Sequence, residues 1–206
     1  MSRILVIETA TAACSVALID AGTVIARHHE VVGRGHAERL IPMIADLPDG
    51  GHAARILVDV GPGSFTGVRV GIAAARGLAL GWDASVAGFS SLTLIAAAAF
   101  ARRAIPECVV VLEGGHGEVF VQPFATGTVA LAPLASLKPD AAIAMLAGRP
   151  AIGNGIDRLR VIDPGIDGED ALPDAADAIL LPPTDLPPVP LYGRAPDAKL
   201  PGGLSL

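Results

Sequence analysis

The pattern of hydrophobic and polar positions predicts three short strands at the start of the chain. Residues 4–7 form an apolar run, and residues 15–20 and 24–30 are β-rich segments separated by a turn centred on Gly22. A glycine-containing turn between two such segments is typical of a tight hairpin. We therefore expect an opening sheet in which at least two strands are antiparallel.

The pattern then changes to helical spacing, and helices alternate with strands. In several segments apolar residues recur three and four positions apart, which places them on one face of a helix. The predicted elements are a helix over 35–47, a strand over 56–60, a helix over 66–80, a strand over 85–88 and a helix over 90–104.

The second half of the chain resembles a reduced copy of the first. It contains a strand over 108–112, a loop, a strand over 118–124 and a helix over 140–146. This order predicts a two-lobed α/β fold. We expect an N-terminal lobe over residues 1–104 and a smaller C-terminal lobe over 105–206, which ends in an extended, proline-rich tail.

Composition narrows the possible partners. Only 3% of the 206 residues are aromatic and the net charge is −6, which argues against a free-standing nucleic-acid or membrane-surface binder. The first 104 residues carry nine arginines against eight acids, so a polyanion should meet that half.

Cys14 and Cys108 fit buried thiols in a reducing compartment. Together with an N-terminus unlike a signal peptide, this predicts a soluble cytoplasmic protein.

The most informative motif is a glycine-rich loop between the strand at 56–60 and the next helix. Such a loop can present backbone N–H groups to an anion. It lacks the Lys-Ser/Thr pair of a P-loop, and its last glycine is one residue late for a dinucleotide fingerprint, although Asp83 keeps that alternative open. A plain turn, with a helix capped by Ser64 or Thr66, fits equally well. The motif comprises Gly61, Pro62, Gly63, Ser64, Phe65, Thr66 and Gly67.

The helix after this loop carries small residues at intervals of four, at Gly67, Gly71 and Ala75. Small side chains let another backbone approach closely, either inside the chain or at a contact between subunits. Both alternatives stay open on this evidence.

Candidate catalytic groups are few. Four histidines fall between positions 28 and 52, but His28 and His29 point to opposite sides of a strand and no cysteine is near them. Neither Ser64 nor Cys14 belongs to a recognisable nucleophile arrangement. We therefore expect no metal ion, no cofactor and no catalytic residue in this chain.

Several segments together resemble the TsaB (YeaZ) family of the bacterial tRNA threonylcarbamoyladenosine machinery. The most specific is Gly61-Pro62-Gly63-Ser64-Phe65-Thr66-Gly67-Val68-Arg69-Val70-Gly71; the others are residues 4–11, 36–42, 113–119 and 190–194. The resemblance implies an actin-like ATPase-type fold with two ribonuclease-H-like lobes, the second reduced. Glu8 and Glu113-Gly114-Gly115 depart from the Asp and Asp-Ala-Arg that the family normally has, which makes a metal–ATP site less expected.

The resemblance also implies partners. Family members pair with the catalytic paralogue TsaD and with the ATPase TsaE, form homodimers when alone, and meet tRNA only through the complex. TsaD transfers threonylcarbamoyl to the adenosine next to the anticodon and binds metal through a His-x-x-x-His pair. Ser91 and Ile95 stand at the matching positions here, which implies a non-catalytic subunit and gives no support to the older peptidase M22 label.

On this interpretation the interface lies on the two helices at 37–47 and 66–80. The residues expected there are Leu40, Met43, Ile44, Gly67, Val68, Arg69, Gly71, Ile72 and Ala75. The alternatives are a stand-alone nucleotide-dependent enzyme of the actin-like superfamily, a dinucleotide-binding protein, and direct tRNA binding through Arg69, Arg76, Arg102 and Arg103.

Overall fold

A computed structural model describes residues 3–193, and within that range the first sheet has five strands in the order β3-β2-β1-β4-β5. β1 is antiparallel to β2, which is antiparallel to β3, whereas β1, β4 and β5 are parallel. This confirms the antiparallel opening and is incompatible with the parallel sheet of a dinucleotide-binding fold. The strands are β1 (Ile4–Glu8), β2 (Ala13–Asp20), β3 (Thr23–Val31), β4 (Arg55–Asp59) and β5 (Ser85–Phe89).

Helices cover both faces of this sheet. α1 (His36–Ala45) and α2 (Phe65–Trp82) lie on one face, and α3 (Ser91–Arg102) lies on the other. Because side chains alternate along a strand, Leu5 and Ile7 face α2 while Val6 faces α3 and the 3-10 turn Ala175–Leu180.

The second sheet has six strands within the described range, in the order β11-β10-β6-β7-β8, with β9 paired to β7. Two helices, α4 and α5, pack on one side of it, and α3 packs on the other. α3 therefore lies between the two lobes. The elements are β6 (Glu107–Glu113), β7 (Val119–Ala125), β8 (Val129–Ala130), β9 (Ala135–Leu137), α4 (Pro139–Leu146), β10 (Ala151–Ile152), α5 (Ile156–Arg160) and β11 (Gly168–Glu169).

Two lobes of α/β structure are thus observed, as predicted. The strands and α-helices after β7 are too short, at two to five residues for all but α4, to have a clear period in the sequence. No helix in the described part of the chain is long and apolar enough to cross a membrane.

After β11 the chain returns to the first lobe. The predicted division at residue 104 assigned all of residues 105–206 to the second lobe and did not include this return. The 3-10 turn Ala175–Leu180 packs beneath the first sheet. Residues 184–193, called here the C-terminal strap, then run along β5 and α2: Gly88 bridges to Leu186, and the N–H of Leu191 donates to the carbonyl of Val60 at 2.7 Å. The extended tail is confirmed as far as residue 193; the Arg194 of the expected C-terminal motif lies outside the described residues.

The stripe of small residues on α2 faces inward. A Cβ at Gly67 would collide with the carbonyl oxygen of Thr9, and one at Gly71 would lie 2.5 Å from Thr9 Oγ1. Ala75 is fully buried in the same core. The stripe therefore lets α2 approach the first sheet, and the prediction that its members meet another subunit is wrong for these three residues.

Replacing Gly71 by Ala should destabilise the folded chain itself, by about 1–3 kcal/mol, because Thr9 Oγ1 already donates to the carbonyl of Gly67 and cannot move aside. Gly77 is the matched control on the same helix, since an added Cβ there meets nothing within 4 Å. Gly77→Ala should stabilise the chain by about 0.5–1 kcal/mol through helix propensity. Urea unfolding at a concentration low enough to keep the chain monomeric measures both, and equal effects at the two positions would contradict this packing.

Both cysteines should be unreactive in the native protein. Cys14 and Cys108 are fully buried, and burial raises the pKa of each thiol to about 11. A colorimetric thiol reagent at mildly alkaline pH should therefore detect no thiol before unfolding and both after it. Rapid labelling of the native chain would show that the core around them opens.

Candidate functional site

The loop between β4 and α2 is held by hydrogen bonds to the turn that follows β1. The N–H of Ser64 donates to the carbonyl of Ala10 at 2.6 Å, and Thr9 Oγ1 donates to the carbonyl of Gly67 at 2.8 Å. Ser64 Oγ accepts from the N–H of Gly67 at 3.2 Å, which confirms Ser64 as the helix cap. A Cβ at Gly63 would collide with Ala10, so glycine is required there.

A cleft of about 960 Å³ separates the two lobes beside this loop. Residues of the turn after β1, of the glycine-rich loop and of α2 line its first wall. The loop after β6 and Asn154 line the other. Glu113, the acid that departs from the family pattern, lies on that second wall and is held by Arg158 at 2.9 Å.

An arginine between two aromatic rings stands at the mouth of the cleft. The Arg69 guanidinium lies 3.3 Å from the centroid of the Phe65 ring and donates to the Tyr192 hydroxyl at 2.6 Å. Phe65 is 70% exposed. Arg69 was expected at a subunit interface; its contacts here are with the helix start and the C-terminal strap.

Two carboxyl groups lie below the cleft floor, at the ends of β1 and β4. Glu8 Oε1 accepts from the N–H of Ala10 at 2.8 Å and of Thr11 at 3.2 Å. Asp59 Oδ1 accepts from the N–H of Gly61 at 2.7 Å. Burial, and then the neighbouring Asp59, raises the pKa of Glu8 well above its usual value, and burial raises the pKa of Asp59 to about 7.

Sequence reasoning singled out Glu8 and missed Asp59. The available signal was that both apolar strands, residues 4–8 and 55–59, end in an acid. Aligned parallel strands bring such ends together, which the sequence shows only once the pairing of β1 with β4 is known.

The positions matched to the paralogue's histidines are occupied by groups with other roles. Ser91 Oγ donates to Asp59 Oδ1 at 2.8 Å, and Ile95 packs in the core between the lobes. Among residues 3–193, no group of three or more His, Cys, Asp or Glu side chains is placed to hold a metal ion. His36 contacts the carbonyls of Thr11 and Ala13 at 2.9 Å and so braces the turn after β1.

The apolar residues expected at an interface are instead part of the first lobe's core. All five pack against the first sheet, so they are covered by their own chain: Leu40, Met43, Ile44, Val68 and Ile72. The sequence does not determine which side of each helix faces the sheet, and for this reason the interface prediction chose residues on the buried side. The outward face of α2 carries a second small stripe at Ala73, Gly77 and Gly81, together with Leu80, which is 88% exposed.

Comparisons with known proteins agree with this architecture. The family model for TsaD, tRNA N6-adenosine threonylcarbamoyltransferase, matches residues 25–149. The TsaB protein of Escherichia coli (strain K12) is 42% identical over 125 residues, which are 57% of this chain and 53% of that protein. The match thus spans about half the length of that relative.

Two further proteins match over nearly the whole chain. An uncharacterised protein of Mycobacterium tuberculosis (strain ATCC 25618 / H37Rv) is 32% identical over 97% of this chain and 95% of its own length. The solved structure of YeaZ from Pseudomonas aeruginosa has a TM-score of 0.79 at 28% identity, covering 93% of this chain and all of that one. The chain therefore belongs to the TsaB (YeaZ) family of the actin-like superfamily.

Proposed function

We propose that this chain is a non-catalytic subunit in the biosynthesis of threonylcarbamoyladenosine in tRNA. In this proposal it pairs with TsaD, works with TsaE on the adenosine next to the anticodon, and forms a homodimer when alone. Relatives named as TsaB biosynthesis proteins support the pathway. The observation that carries the pairing is the exposed outer face of α1 and α2.

The small and apolar residues on that outer face are Ile41, Ala73, Gly77, Leu80 and Gly81, and the exposed Arg76 lies beside them on α2. A Cβ at Gly77 or Gly81 would meet nothing within 4 Å, so a partner helix could approach these positions closely. Leu80 is 88% exposed and Ile41 is 50% exposed. Exposed apolar side chains grouped on adjacent helices are typical of a protein–protein contact.

The contacts of the serine hydroxyl groups near the cleft support the proposal that this subunit is non-catalytic. Ser64 caps α2, and Ser91 donates to Asp59 and lies 3.2 Å from the carbonyl of Pro62. A nucleophilic hydroxyl needs both a neighbouring base and access to a substrate, and Ser91, although it donates to Asp59, is fully buried. Neither serine has the arrangement of a peptidase nucleophile, which supports leaving the peptidase label aside.

The arginines considered for direct tRNA binding already have partners within the chain. This supports the proposal that the protein meets tRNA through the complex and not by itself. Arg102 is paired with Asp177, and Arg76 donates to the carbonyl of Pro188. Arg69 is held by Phe65 and Tyr192. Arg103 lies 3.9 Å from Glu169, so all four arginines considered for direct binding have a partner within the chain.

Leu80→Asp tests the outer face. We expect at least about a tenfold weaker association with TsaD, because a buried Leu contributes about 1.5–3 kcal/mol and an unpaired carboxylate opposes burial. The homodimer should weaken as well. Val161→Asp in the second lobe is the matched control, because Val161 is 84% exposed and lies away from this face.

Association is measured by titration calorimetry with purified TsaD, and modification is measured on tRNA with TsaD and TsaE present. Weaker association and reduced modification for Leu80→Asp, with Val161→Asp unchanged, are the expected result. Equal affinities for the two variants would exclude the outer face. Full TsaD activity without this chain would exclude the supporting role itself.

The cleft favours one alternative function, a nucleotide-dependent enzyme. The start of α2 faces a cavity of about 960 Å³ with Arg69 at its mouth, as an anion-binding cleft would require. We expect the isolated chain to bind ATP at best at millimolar concentration and not to hydrolyse it. Micromolar binding with turnover, measured by calorimetry and phosphate release, would support the enzyme instead.

A further inference from the structure

Glu8 and Asp59 lie side by side on neighbouring strands below the cleft floor. β1 and β4 are parallel with Ile7 opposite Val58, so the two acids are the next pair in the register. Both are fully buried. Each acid uses one oxygen for the hydrogen bonds described above, while Glu8 Oε2 and Asp59 Oδ2 have no partner in the described part of the chain.

Within residues 3–193, no positively charged side chain acts on the pair. Ser15 on β2 and Ser91 on α3 face it with hydroxyl groups. Asp174, before the last 3-10 turn, adds a further negative charge near Glu8 and is paired with Arg27. Two ionised carboxylates without water or a cation would repel each other, and each would also lose its hydration.

We propose that Glu8 and Asp59 hold one proton between Glu8 Oε2 and Asp59 Oδ2, and that this shared proton ties together the two turns that line the cleft. The protonated carboxyl donates its O–H to the ionised one. This satisfies both unpartnered oxygens and leaves one negative charge, which the N–H groups of the two turns stabilise.

The shared proton connects backbone segments that contact each other at the cleft. Glu8 Oε1 fixes the turn at Ala10 and Thr11, and Asp59 Oδ1 fixes Gly61. The two turns are also joined directly by the bond from Ser64 to Ala10. Loss of the proton would set two charges against each other and loosen both turns where α2 begins.

The pH dependence follows from the direction of the pKa shifts. Burial raises the pKa of Asp59 from 3.8 to about 7 in the folded chain, so the folded state holds a proton that the unfolded state releases earlier. The stability that this proton contributes is greatest at acidic pH and is lost as the pH rises through the pKa that Asp59 has in the folded chain. From about pH 5 to about pH 8, the folding equilibrium constant should fall by at least about tenfold.

Asp59→Asn tests the proposal. The amide Oδ1 can still accept from Gly61 and Ser91, and the amide N–H replaces the proton as a permanent donor to Glu8. The variant should therefore lose most of this pH dependence, since only the burial of Glu8 remains, and become more stable than the natural chain at about pH 8. Asp185→Asn is the control, because its side chain is 94% exposed and its replacement should leave the pH profile unchanged.

Urea unfolding across this pH range provides the first measurement, and carbon-13 NMR of labelled Asp and Glu carboxyl carbons in the natural chain provides the second. We expect one carboxyl to stay protonated near pH 6 and its signal to disappear in Asp59→Asn. Two fully ionised acids at that pH, an unchanged slope in the Asn variant, or stability that depends on sodium or potassium in place of pH would overturn the shared proton. If the variant fails to fold, the NMR titration of the natural chain decides alone.

Discussion

The turn after β1 lies in direct backbone contact with the glycine-rich loop and the first turn of α2, and the first lobe is arranged around that contact. At Gly63 and Gly67 a side chain would collide with the carbonyl oxygens of Ala10 and Thr9, so the helix can lie this close only because glycine stands there. Thr9 then bonds to the helix backbone through its hydroxyl group. This approach sets the direction of α2, and with it the position of the cleft wall and of the outer face.

The same contact explains why acids are tolerated in the core. Strands β1 and β4 end below the contact, and each ends in a carboxylate that accepts N–H groups from the turn that follows. Turn N–H groups at such positions have no strand partner, and a buried unpaired N–H is costly. Glu8 and Asp59 satisfy them, and the unfavourable proximity of the two carboxyl groups is the consequence.

α2 carries small residues on two faces with different effects. The inner stripe, with Gly71, gives close packing within the chain, and the outer stripe, with Gly77, leaves open space. The core is therefore complete without a partner, and any association must use side chains that the fold leaves outside, such as Leu80. The C-terminal strap covers one flank of the same helix through Arg76 and so limits the exposed area.

The sequence by itself determined the order of the larger elements, the two lobes and the family, because these depend on local periodicity and on one continuous motif; it narrowed the helix cap to Ser64 or Thr66. Only the tertiary structure decided which face of α2 is buried, since stripes four residues apart look alike in sequence until the helix is placed on a sheet. Tertiary structure also paired Glu8 with Asp59 across 51 positions and returned residues 184–193 to the first lobe. Contacts between distant segments depend on strand register and chain path, which local patterns do not encode.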